Sequence, residues 1–194
     1  MADKVPYPVG LVRNWTLRDG TRIVIRPIRL EDRQIERDFV RNLSDESRYF
    51  RFFNALRDLS ETALTRFTQV DYDKGMALIA VICENGHETE IGVARYSINP
   101  DGRSCEFAIV VADAWQRRGI GSKLMHSLMD AARGRGLETM EGWVLSGNTR
   151  MLALMDGLGF TVDANAGDPS LRHVVKKLAT RDIPAGTAAN REAT

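Results

Sequence analysis

Polar and apolar residues alternate in two rhythms along the chain, and the rhythm changes near residue 112. Early on, Thr21, Ile23 and Ile25 alternate with Arg22, Val24 and Arg26, the period of a half-buried strand. The segments Asn14 to Leu17 and Thr21 to Ile28 flank Asp19-Gly20, which reads as a hairpin with positive φ at both central residues. Pro27 belongs near the end of that strand or on a sheet edge. From Glu31 to Leu43 the period lengthens, with Ile35, Phe39 and Leu43 on one helical face. Ser44 is placed to cap a second helix running to Phe53, with Ser47 tightening its first turn. Ser60 is placed to cap a third, running to Val70, with Leu64 and Phe67 inward.

Three strands follow. Met76 to Glu84 is nearly all apolar and should be central in a sheet. Asn85-Gly86 ends it, Glu90 to Ile98 returns, and Asn99-Pro100-Asp101-Gly102 turns the chain into Arg103 to Val111. Strand and helix then alternate. Gly119 to Arg135 sets Leu124, Leu128, Ala131 and Ala132 on one helical face. Thr139 to Leu145 reads as a strand, Asn148 to Leu158 as a helix stopped by Gly159, and Leu171 to Leu178 as a last strand. The fold class is α+β: a mixed, mostly antiparallel sheet with helices on both faces. Residues 1–20 read as an N-terminal extension with the first hairpin strand, 21–178 as the main domain, and 179–194 as a flexible C-terminal tail.

Composition narrows the classes. At 43% apolar residues the chain can bury an ordinary core. A net charge of +1 gives no global field for nucleic acid, so no nucleic-acid partner is expected. No apolar run approaches the roughly 20 residues that span a bilayer, so no membrane partner is expected. Asp3, Lys4, Pro6 and Pro8 do not resemble a signal peptide, and a cytoplasmic location is the expectation. Cys83 and Cys105 sit in apolar strand-like runs and read as buried, reduced thiols. His87, His126 and His173 lack ligand spacing, so no metal is expected.

The stretch with the most chemistry runs from Glu106 through Gln116-Arg117-Arg118-Gly119-Ile120-Gly121-Ser122-Lys123. A strand feeds a loop and the loop opens a helix, whose first N–H groups have no internal partner and carry partial positive charge. Gly119 and Gly121 let an anion approach the backbone, and Arg117, Arg118 and Lys123 add charge beside it. Two other readings stand next to this one: a plain tight turn with a solvated Arg pair, and a dinucleotide loop. The dinucleotide loop is disfavoured because Leu124 occupies the third glycine position.

Gln116-Arg-Arg-Gly119-Ile-Gly121 resembles the Gln/Arg-x-x-Gly-x-Gly/Ala signature of the GCN5-related N-acetyltransferase (GNAT) superfamily. Asn148 opening a helix and Leu158-Gly159-Phe160 closing it resemble that family's later element. The resemblance covers about Thr21 to Leu178. It implies acetyl-CoA as substrate, with its pyrophosphate on the amides of Gln116, Arg117, Arg118, Gly119, Ile120, Gly121 and Ser122 and with Asn148 beside it. It also implies a sheet splayed between Val111 and the Thr139 strand, and a pantetheine arm paired against Ile109, Val110 and Val111. Ser44-Asp-Glu-Ser-Arg-Tyr-Phe-Arg-Phe-Phe53, Asp71-Tyr72-Asp73, Gly92-Val-Ala-Arg-Tyr96, Glu106-Phe-Ala and Met151 look like the acetyltransferase domain of bacterial protein lysine acetyltransferases. Those enzymes modify acyl-CoA synthetases such as acetyl-CoA synthetase, which makes such a protein an expected partner. Their domain often sits behind a nucleotide-binding region that these 194 residues lack, so the control it supplies is expected to be missing.

Amine acetylation needs a base. A free lysine amine, with a pKa near 10.4, is neutral in about one molecule in 2,500 at pH 7, a deficit of about 4.6 kcal/mol. Glu106 interrupts an apolar strand beside the loop, and the resemblance places a catalytic glutamate there. Its other reading is a solvated sheet residue paired across strands with Arg95. The oxyanion donor implied is a backbone N–H near Val110 or Val111. Many relatives keep a tyrosine as general acid where this chain has Met155. Cys105 and His126 suggest a covalent nucleophile, but Cys105 should point to the face opposite Glu106. Asp71 and Asp73 read either as a lysine attractant or as an acidic turn, and Trp115 and Trp143 as packing residues. The expectation is direct acetyl transfer to an amine, foremost a protein lysine. A small-molecule amine acceptor and a non-catalytic acyl-CoA sensor are the alternatives.

Overall fold

The computed structural model describes residues 6–53, 58–164 and 167–178. The tail expected over 179–194 lies outside the described residues. The chain order is β1 (Arg13–Thr16), β2 (Arg22–Pro27), α1 (Arg33–Asn42), α2 (Asp45–Phe52), α3 (Glu61–Thr68), β3 (Gly75–Glu84), β4 (His87–Ile98) and β5 (Ser104–Val111). It continues with α4 (Ile120–Gly134), β6 (Thr139–Leu145), α5 (Thr149–Gly157), β7 (Thr161–Ala164) and β8 (Leu171–Lys177). The eight strands form one sheet in the order β1-β2-β3-β4-β5-β6-β8-β7. Every neighbouring pair is antiparallel except β5 with β6. Among the described residues no helix is long and apolar enough to cross a membrane.

Two apolar layers fix the sheet. On one face α4 buries Leu124, Met125, Leu128 and Met129 against Ile23, Ile25, Leu78, Ala94 and Ile109. Each large side chain so buried contributes about 1.5–3 kcal/mol, enough to anchor the helix and the loop that opens it. On the other face Phe39 and Val40 of α1, Leu43 just after it and Leu64 of α3 pack on Ile79, Val81, Val93 and Val110. Helices on both faces and a mixed sheet are as expected. Ser44 and Ser60 cap α2 and α3, accepting from the N–H groups of Ser47 and Ala63.

Several local expectations are corrected. Only Gly20 of the first hairpin has positive φ, at 86°. Leu17 N–H bonds to Thr21 O and Gly20 N–H to Leu17 O, so the loop is a three-residue type with glycine in the left-handed position. Cys83 is exposed, because β3 outruns the helices over its last two residues. Arg26 is buried rather than solvated, and ion pairs with Asp32 and Glu88 at 2.7 and 2.6 Å satisfy it. The short edge strand β7 went unread: its Thr-Val-Asp-Ala alternation spans only four residues, and all four are exposed.

The feature that positions the site is a fork. Strand β5 pairs with β6 only over Ser104, Cys105 and Glu106, whereas its pairing with β4 continues to Val111. Phe107 fills the wedge where the strands part. Its ring lies so near Gly142 of β6 that a β-carbon there would come within 2.8 Å of it.

Candidate active site

Beyond Glu106 the edge of β5 is open. Ala112 N–H bonds to Ile91 O on the β4 side, and Glu138 N–H bonds to Arg103 O on the β6 side. Main-chain groups alternate sides along a strand. Those of Phe107, Ile109 and Val111 therefore point away from β4 into the fork. Of the two oxyanion donors named from sequence, Val111 offers its N–H to that edge, while Val110 turns toward β4.

The fork opens into a cleft of about 430 Å³ between β5, α2, the loop before α4 and the start of α5. Of the residues expected at the cofactor, Ile109, Val110, Val111, Gln116, Arg117, Gly119, Gly121, Ser122 and Asn148 line it. The side chains of three expected residues are engaged elsewhere or only tie protein groups together. Ile120 is 1% exposed and packs in the core, so only its amide faces the loop. Arg118 turns to the β1–β2 hairpin, ion-pairing with Asp19 at 3.1 Å and covering the Trp115 ring. Gln116 lines the cleft, but its side chain ties protein groups together. Its Nε2 donates to Val111 O at 3.1 Å and to Ser47 Oγ at 3.2 Å, and its Oε1 accepts from Arg150 at 3.3 Å.

The loop is built to leave its amides free. Arg117 and Gly119 take positive φ, 62° and 82°, which turns successive N–H groups to one side. Gly119 begins α4 with no side-chain cap. Among the described residues no acceptor takes the N–H groups from Arg117 to Ser122, whereas Lys123 N–H already bonds to Gly119 O. Gly121 has a packing reason as well: an added β-carbon would lie 3.2 Å from Leu154 of α5. At the facing helix Asn148 caps α5 through Oδ1, which accepts from Met151 N–H at 3.1 Å.

Helix α2 is fastened over the cleft by a residue that sequence reading missed. Asp113 accepts from Ser44 N–H and Oγ and from Ser47 Oγ, at 2.8, 2.7 and 2.8 Å. Burial opposes its charge, but these bonds outweigh it and hold the carboxyl below the usual range. The Ser47 hydroxyl thus joins α2 to the loop, while its N–H closes the first turn on Ser44 Oγ. No local pattern links residues 66 positions apart. Arg51 of α2 also lines the cleft, half-buried and with no carboxylate within ion-pair distance among the described residues. Burial, then the neighbouring Arg95, lowers its guanidinium to about 10, so it stays charged at neutral pH.

Glu106 lies at the apex of the fork, exposed, outside the cleft lining and with its side chain on the face opposite Cys105 and Phe107. Arg95 is not its partner: it pairs in register with Ala108 and reaches Glu36 of α1 at 3.3 Å. Cys105 is fully buried, and burial pushes its thiol up to about 12, which removes it as a thiolate nucleophile. His126 is a solvated helix residue with Nδ1 2.8 Å from Ser122 O. Asp71 and Asp73 form a turn, with Asp73 paired to Arg135. Trp115 packs on the core as expected, but Trp143 is 39% exposed and stacks on His173 instead. Met155, in the place of the expected tyrosine, is completely buried. Among the described residues no group of His, Cys, Asp and Glu is arranged to hold a metal.

Residues 37–160 match the model of the acetyltransferase (GNAT) family. The chain is 35% identical over 164 residues to an acetyltransferase of Pseudomonas aeruginosa, covering 84% of this chain and 87% of that protein. It is 30% identical over 155 residues to the acetyltransferase Pat of Mycolicibacterium smegmatis, covering 79% of this chain and 44% of that longer protein. The crystal structure of the GNAT domain of S. lividans PAT superposes with a TM-score of 0.81 at 30% identity, covering 89% of this chain and all of that one.

Proposed function

The chain belongs to the acetyltransferase (GNAT) family, and from that premise we propose that it moves an acetyl group from acetyl-CoA directly to the amine of a protein lysine. The observation that carries this reading is the run of free amides from Arg117 to Ser122 beside the open edge of β5. The amides suit a pyrophosphate, the edge suits an extended pantetheine that pairs like a strand, and the fork leads the thioester toward Glu106.

The residues then divide the work. Glu106 takes a proton from the acceptor ammonium, directly or through water, and the neutral nitrogen attacks the thioester carbonyl. A C–N bond forms, and Val111 N–H meets the developing oxyanion. The nitrogen sheds its remaining surplus proton to water, the C–S bond breaks, and CoA leaves as a thiolate with a pKa near the ~8.5 of a cysteine thiol, which needs no acid from buried Met155. Exposure of Glu106 leaves room for an acceptor as large as a folded protein, which favours a protein lysine over a small amine. An acyl-CoA synthetase is the acceptor to try first.

The test is CoA release from acetyl-CoA with lysine peptides, small amines and an acyl-CoA synthetase. Lysine acceptors should turn over, and Glu106→Gln should lower kcat by about 10²–10⁴-fold with acetyl-CoA affinity unchanged. Near-wild-type turnover by that variant removes Glu106 from the role. Binding of acetyl-CoA without turnover of any amine points instead to a sensor.

A further inference from the structure

Glu106 has no side-chain partner among the described residues, but its neighbour across the fork does. In the parallel register Glu106 lies opposite Glu141 of β6. Such neighbours sit about 4.8 Å apart with side chains on one face. Glu141 is held from two sides: Oε1 accepts from Asn99 Nδ2 at 2.7 Å, and Oε2 lies 2.9 Å from His173 Nε2. An ionised carboxylate only accepts, so Nε2 carries the proton. His173 stacks on Trp143, its cross-strand partner, with ring centroids 4.5 Å apart and planes at 26°. Asp163 of β7 is its register partner on the other side. Glu141 and His173 side chains are each 28% exposed.

One carboxylate at the apex is therefore free and its neighbour is immobilised, with an exposed indole next in line. Like charges side by side on adjacent strands repel, and a cation between them removes the cost. A lysine supplies that cation on an unbranched apolar stem, and the stem gains by covering an aromatic surface.

We propose that Glu141 is an acceptor-binding residue: it holds the acceptor ammonium beside Glu106 while the stem lies on Trp143, with Asn99 and His173 as its positioning residues. This rests on the transferase reading above. The acceptor class it selects is a primary ammonium on an apolar stem with no carboxylate near the nitrogen. An α-amino carboxylate would bring a third negative charge to the apex and is rejected.

With a lysine peptide, Glu141→Gln should raise the acceptor KM about tenfold, the scale of one charge-assisted contact at a partly exposed site. Its kcat and its KM for acetyl-CoA should stay near wild type. His173→Gln keeps an N–H for Glu141 and should preserve the acceptor KM, whereas His173→Phe keeps only the stack and should raise it like Glu141→Gln. An unchanged acceptor KM in Glu141→Gln, or equal behaviour of the two His173 variants, overturns the proposal. If Glu141→Gln does not fold, the His173 pair decides. If the wild type turns over no amine, the transferase reading fails, and n-butylammonium titration still tests this site. The Trp143 indole N–H resonance should move in the wild type and not in Glu141→Gln or His173→Phe, and a stationary resonance in the wild type overturns the assignment.

Discussion

Hydrogen-bonding capacity goes unused in two regions of this molecule, for opposite reasons. At the start of α4 the free groups are donors, the amides from Arg117 to Ser122, and they open on a cleft. Behind α1 the free groups are mostly acceptors, one oxygen of Glu36 and both of Glu90, with Arg95 Nε an unpaired donor beside them, sealed in the layer between α1 and the sheet. Arg95 donates to the other Glu36 oxygen and to Phe67 O, and pairs with neither oxygen of Glu90. Water or a ligand reaches the first set, so leaving it open costs little and creates a site. Nothing reaches the second, so the chain must keep a proton there. Burial first, then the charge of Glu36, drives the Glu90 carboxyl well above its usual range, against the opposing pull of Arg95. An unsatisfied group marks a binding site only where something can arrive to satisfy it.

The contrast breaks most visibly at Gly119. Gly119→Asp places a carboxylate where it can take the loop amides and repel a phosphate. Aspartate also tolerates the left-handed backbone there better than most residues. Acetyl-CoA affinity should fall about 100-fold, or about 2.8 kcal/mol, while the left-handed backbone costs only about 1–2 kcal/mol of stability. Calorimetric titration checks the first and thermal unfolding the second. A variant that binds normally would show that the amides are not the anion site.

The sealed region gives the reverse pattern. Because the folded-state pKa of Glu90 is raised, the native state keeps a proton that the unfolded chain releases above about pH 4.3, so stability falls as pH rises through the gap. Glu90→Gln escapes that loss. It should match the wild type near pH 4 and exceed it at pH 8 by about 1 kcal/mol, roughly 2–4 °C in midpoint, with acetyl-CoA affinity unchanged. An equal difference at both pH values would mean that Glu90 does not hold the proton.

A third helix start sharpens the comparison, because α5 faces the same cleft but is capped. Asn148→Ala should cost about 1 kcal/mol of stability, with only a few-fold loss in acetyl-CoA affinity. A loss of binding as large as that of Gly119→Asp would make Asn148 a ligand contact rather than a cap.

What the sequence made legible was local. Ser44, Ser60 and Asn148 sit one residue before their helices, and Gly119 and Gly121 follow a strand, so each signal lies within a few residues of its effect. What stayed hidden depends on register. The fork at Glu106, the Asp113 clamp on Ser44 and Ser47, and the Glu141–His173 pair join residues 32 to 69 positions apart. Arg26 was misplaced because alternation assigns a face but cannot foresee two carboxylates waiting on it. The bracing role of the Gln116 side chain stayed hidden because its place in the motif says nothing of the Val111, Ser47 and Arg150 groups that it engages.

The most direct measurement is backbone amide NMR during a titration with CoA. The resonances of Arg117 to Ser122 should show the largest displacements, larger than those of Thr149 to Met151 at the capped start of α5. If CoA saturates the protein while the loop amides stay in place, or the displacements gather on another surface, the loop is not the anion site and the account fails.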